Sequence, residues 1–122
     1  MMKKLIPFLC IAVTILCTVY GQLITKSRVN ALGLKPNTLS AYYTTLFLDP
    51  WFVSGLVAVL PAGLCWIYAI RHIPLSIAYP FMGLTFAFVL IGSSIILHET
   101  VTVQKVIGTV LIIAGISIIA MR

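Results

Sequence analysis

Acidic side chains are almost missing: Asp49 and Glu99 are the only two in 122 residues. No carboxylate pair is therefore available for general acid–base work, and no acid falls inside a long apolar run to exchange a proton for a cation. The three cysteines, Cys10, Cys17 and Cys65, are odd in number, lie in apolar stretches and form no Cys-x-x-Cys or Cys/His cluster. They are read as small apolar filling, with neither a disulfide framework nor a metal site. The two histidines stand apart, and there is no Gly-rich phosphate loop or nucleophile elbow, so neither an enzyme nor a cofactor is expected. Charge of any kind is scarce at 8%, against about a quarter in soluble domains, while 61% of residues are hydrophobic and the mean hydropathy is +1.17. Such a chain lives in lipid. Its eight Lys and Arg residues give a net charge of +6, but they stand in small groups between apolar runs. That pattern orients membrane spans and does not form a basic, aromatic-rich nucleic-acid surface.

What is abundant is apolar sequence in four long runs. Between Lys4 and Lys26 lie 21 uncharged residues, which as a helix reach roughly 31 Å, the thickness of a hydrocarbon core. No A-x-A site or lipobox follows the opening lysines, so this run is read as a span, not a cleaved signal. Three further runs complete an all-α integral membrane protein, a single four-helix domain over 1–122 with helices at about 5–25, 50–70, 73–97 and 103–121. The last span reaches full width if Lys105 snorkels from its end. Trp51, Tyr68 and Tyr79 fall near helix ends, where amphipathic rings anchor at the headgroups. The Arg71-His72 link, with Pro74 behind it, predicts a tight hairpin between the second and third spans.

The loop 27–49 is the exception in length. Within it Leu39, Tyr42, Tyr43, Leu46 and Phe47 recur at the spacing of one helical face, with Asn37 or Thr38 as a cap. This predicts either an amphipathic helix on the membrane surface or an extension of the second span. Four spans place Lys3, Lys4, Arg71 and Arg122 on one side and Lys26, Arg28, Lys35 and Lys105 on the other. With four cations on each side, the positive-inside rule gives no direction of insertion.

Polar groups inside the spans cost free energy in lipid and need a reason. Thr14, Thr18, Gln22 and Thr25 share one face of the first helix, read equally as helix-to-helix glue or as the lining of a substrate path. Lys26, one turn beyond Gln22, is placed to hold a phosphate. In the third span Pro80 leaves the carbonyl of Ser76 without its helical partner, which predicts a local break facing a cavity beside Tyr79. Pro61 and Gly63 mark a second candidate bend, read as packing. In the fourth span Gly108, Ile112 and Gly115 share a groove for close helix contact, within one subunit or between two. Four helices are few to enclose a path, so a dimer is expected.

The order Gly21-Gln22-Leu23 with Lys26, then Pro74 to Pro80 reading P-L-S-I-A-Y-P, then His98-Glu99, then Gly108 to Gly115, resembles the four-helix members of the drug/metabolite transporter superfamily. Within it the chain is most similar to the small subunits of the flippase for 4-amino-4-deoxy-L-arabinose-phosphoundecaprenol. The resemblance covers the first helix and roughly residues 71–121. It implies an inner-membrane protein that moves an undecaprenyl-phosphate-linked sugar as a homodimer or with a small paralogue. It further implies Lys26 and Arg71 as phosphate ligands at the mouths of a groove, with Thr18, Gln22, Tyr79 and Pro80 lining it. His98 and Glu99 match the family motif, as a cap or as a functional pair. The small multidrug-resistance family shares the later pattern but carries a glutamate where this chain has Thr18, which disfavours proton-coupled drug export. A multidrug-type exporter and a non-transporting membrane assembly protein are the alternatives.

Overall fold

The computed structural model describes residues 1–33 and 39–121, among which five α-helices and no strand occur. Lys35, Arg122 and the Asn37 or Thr38 cap lie outside the described residues. Four helices are long and apolar enough to cross a membrane: α1 (Met2–Leu32), α3 (Pro50–His72), α4 (Leu75–Ile96) and α5 (Val103–Ala120). Between the first two lies the short α2 (Leu39–Leu48).

The first helix is longer than its uncharged run. It continues past Lys26 because nothing from Ser27 to Leu32 breaks a helix, and it stops at Gly33, whose φ of 52° is the left-handed cap that glycine adopts without strain. At 31 residues it is roughly 46 Å long, well beyond a hydrocarbon core. The loop expected at 27–49 is shortened accordingly. Residues 39–48 are helical but do not extend the next span: Asp49 is extended, its Oδ1 accepts the Trp51 N–H at 3.0 Å, and Pro50 opens α3. Of the stripe in α2 only Leu46 is buried, while Leu39, Tyr43 and Phe47 stay exposed.

The hairpin between α3 and α4 turns through Ile73 and Pro74, as tightly as the sequence requires, yet its two arms barely touch. The first helix fills the space between them. Ile11 and Ile15 pack against Ala69 and Ile73 at the end of α3 and Ala78 at the start of α4, and small side chains there let three backbones converge. Further along, α1 and α3 cross at Gly21 and Gly55, where a Cβ on Gly21 would stand 3.2 Å from the Gly55 carbonyl oxygen. At the far end the Arg28 guanidinium Nε bonds Asp49 Oδ2, tying α1 to the cap of α3. The two helices therefore run antiparallel along their whole overlap.

Among the described residues the last helix packs chiefly on α4 and has no buried residue. The chain exposes 8615 Å², against roughly 6,500 Å² for a folded soluble monomer of this mass. The surplus is apolar surface left for lipid or for another subunit.

Candidate functional site

The polar face of α1 divides into residues that are spent and residues that are free. Thr14 is buried, and its hydroxyl lies 2.9 Å from the Cys10 carbonyl and 3.1 Å from that of Ala62, so it is glue between α1 and α3. Thr18, one turn on, makes no such bond among the described residues and lines three adjoining cavities. The first, about 530 Å³ between α1 and α3, also takes in Gln22, Thr25 and, at its outer end, the exposed Lys26. The second, about 510 Å³, lies between α1 and α4 with Ile116 of α5, and brings Thr18 and Gln22 to Tyr79 and Thr85. The third, about 370 Å³, joins Thr14 and Thr18 to Trp66 and Tyr79. Tyr79, itself exposed, meets the Trp66 ring edge to face, 5.7 Å between centroids.

The cavities exist because of the glycine crossing and the wedge. Gly21 and Gly55 bring α1 and α3 together at one level, while α1 keeps α3 and α4 apart at another. The lining is mainly apolar, with hydroxyls, one amide and one ammonium but no acid, a composition able to hold a polyhydroxylated group and an anion.

Of the residues singled out in the sequence, Thr18, Gln22, Lys26 and Tyr79 are thus gathered around adjoining cavities. Arg71 is not among them: it is exposed at the end of α3, on the opposite side of the bundle from Lys26. Pro80 does not break its helix. The α4 helix runs unbroken through it, and Pro80 itself does not line the cavities, which are reached by its neighbour Tyr79.

His98 takes a left-handed φ of 52° and the Glu99 N–H bonds back to the Ser93 carbonyl at 3.2 Å, so this pair terminates α4. Glu99 and Lys105 also line a shallow cavity of about 390 Å³ beside Gly108 and Ile112. The Lys105 ammonium reaches back 2.9 Å to the Thr100 carbonyl, out of the start of α5, as snorkelling requires. Gly108 and Gly115 have nothing within 4 Å of where a Cβ would be, so no described part of this subunit packs closely against them.

Three features were not anticipated. Gly55 is marked in the sequence only as a glycine early in an apolar run. Thr85 is a single hydroxyl in the apolar stretch from Phe81 to Leu90 and belongs to no stripe. The Arg28–Asp49 pair joins residues that simple counting treats as independent charges. Burial favours the neutral form of Asp49, but the Arg28 hydrogen bond, the Trp51 N–H and the guanidinium charge outweigh it, and the carboxyl is held below the usual carboxylate range. No group of residues suited to a metal ion occurs among the described residues.

Residues 8–121 match the model of the EamA-like transporter family. The chain is 33% identical over 107 residues to the probable 4-amino-4-deoxy-L-arabinose-phosphoundecaprenol flippase subunit ArnE of Aeromonas salmonicida, covering 88% of this chain and 90% of that protein. The probable ArnE subunit of Aeromonas hydrophila is 30% identical, covering 82% and 84%. The probable subunit ArnF of Serratia proteamaculans is 27% identical, covering 88% and 87%. No solved structure matches the chain.

Proposed function

The chain belongs to the EamA-like transporter family, and from that membership we propose that it is a flippase subunit carrying an undecaprenyl-phosphate-linked aminosugar across the inner membrane. It is a multi-pass membrane protein whose relatives are named as transporter subunits. The observation that carries the finer reading is the meeting of Thr18, Gln22 and Tyr79 around cavities without an acid, with Lys26 at one outer end. A polyprenyl tail can stay in the bilayer during transit, whereas its phosphate and sugar must be sheltered from hydrocarbon. That task calls for donors and cations along a polar path.

In this reading Gln22 and Tyr79 hydrogen-bond the sugar, and Lys26 and Arg71 receive the phosphate, each at the mouth on its own side. The subunit works as a homodimer or beside a similar small subunit, and the open groove at Gly108, Ile112 and Gly115 supports that pairing. Mass spectrometry of lipids retained by the gently purified protein tests the proposal. A polyprenyl phosphoglycan is expected in the wild type and its loss in Lys26→Ala. Retention of a soluble cation in its place, or of no such lipid, would reject it.

A further inference from the structure

The most unusual polar atom in the bundle is the hydroxyl oxygen of Thr85. It is shut off from solvent and has no hydrogen-bond partner among the described residues. A threonine in a helix normally escapes that cost by bonding the carbonyl one turn back, and Thr14, Thr44, Thr45, Thr109 and Ser117 all do so in this chain. Thr85 does not. It is also the eleventh of the 22 residues of α4, hence halfway through the span, where water is least available to satisfy it.

The surroundings give the hydroxyl a use. Thr85 lines the cavity of about 510 Å³ that holds Thr18, Gln22 and Tyr79. On the same wall Tyr79, Met82, Phe86 and Val89 recur at the spacing of one helical face, so the cavity pairs an apolar wall with hydroxyls and an amide. That suits a sugar ring, which has a non-polar face and polar edges. A rotation about χ1 exchanges the methyl and hydroxyl positions of Thr85 and needs no backbone movement.

We infer that Thr85 is a specificity residue at the midpoint of the path, hydrogen-bonding a hydroxyl or amine of the sugar headgroup as it passes between Thr18, Gln22 and Tyr79. The inference rests on the sugar-lipid reading above and adds to it a fixed contact halfway across the membrane. A purely structural threonine with this geometry would bind nothing, and its hydroxyl would only weaken the fold.

The test uses the full chain in nanodiscs and two probes: a polyprenyl phosphate carrying an aminopentose, and the same polyprenyl phosphate without the sugar. Thr85→Val keeps the shape and removes the hydroxyl. It should leave the melting temperature equal to or above that of the wild type and weaken binding of the sugar-bearing lipid by about tenfold, the scale of one hydrogen bond in an apolar site. Binding of the bare lipid should not change, and Thr85→Ser should restore most of the lost affinity. Equal binding of the sugar lipid by Thr85→Val and wild type would overturn the inference while leaving the wider reading intact. Loss of both lipids together would also overturn it, because the hydroxyl would then not be reading the sugar. A wild type that does not prefer the sugar lipid would overturn the functional reading and this inference with it.

Discussion

Thr14 and Thr18 are the same residue type one turn apart on α1, and their neighbours give them different work. Thr14 is buried against the Ala62 carbonyl, whereas Thr18 looks onto open volume. Thr14→Val should cost about 1 kcal/mol of stability, while Thr18→Val should unfold like the wild type and lose lipid retention. Thermal unfolding in detergent, run beside the lipid analysis, separates the two. Spacing alone showed that the two share a face. It could not divide them, because the division depends on which carbonyl of α3 lies opposite. Asp49 shows the same limit, since its partner Arg28 is a distant residue brought close by the antiparallel return of the chain. With the Asp49 carboxyl depressed when folded, the pair contributes fully above the ordinary carboxylate range and is lost as pH falls through the depressed value. Asp49→Asn, which can still cap α3, should blunt that acid-induced loss. Asp49→Ala should lower the melting temperature further by removing the cap as well.

At the scale of elements, apolar runs between charges made the four spans legible, because lipid demands uninterrupted helix of a set length. The ends were less so. Charge marks where lipid stops, but only a breaker marks where a helix stops, and for α1 that breaker is Gly33 and not Lys26. Helix contacts were the least legible, because glycines look alike in sequence whether they face a neighbour or open space. A Cβ on Gly55 would lie 2.5 Å from Ile24 Cγ2, and one on Gly21 would press on the backbone of α3. Gly21→Val and Gly55→Val should each destabilise the bundle by about 1–3 kcal/mol through overpacking. Gly63 meets nothing within 4 Å, so Gly63→Ala should leave stability nearly unchanged in the same unfolding series. The left-handed turn after α4 behaves in the opposite sense: His98→Gly should preserve or raise stability, because glycine accepts that φ freely.

At the scale of the whole molecule, the bundle is asymmetric. The first helix holds α3 and α4 on either side of itself, while α5 stands outside with a bare glycine groove. Replacing Gly108 and Gly115 together by leucine should therefore leave the helix content of the subunit intact and abolish its association, as read by light scattering in detergent. An unchanged mass would count against a subunit contact there. The sequence foresaw a hairpin of neighbouring α3 and α4. It could not show that α1 would take the place between them, since short connections fix which helices are consecutive and not which are packed. The cavities follow from that wedge, and with them the proposal that a path with polar groups but no acid carries a sugar phosphate past the bilayer core.

The most direct measurement of that claim is translocation. Proteoliposomes containing the chain and a polyprenyl-phosphate-linked aminopentose are treated from outside with an amine reagent that cannot cross the membrane, and the protected fraction is followed with time. The wild type should expose the inner pool far faster than protein-free vesicles do, and Gln22→Leu should slow this at least tenfold. A wild-type rate equal to that of empty vesicles, or a Gln22→Leu rate equal to the wild type, would contradict it.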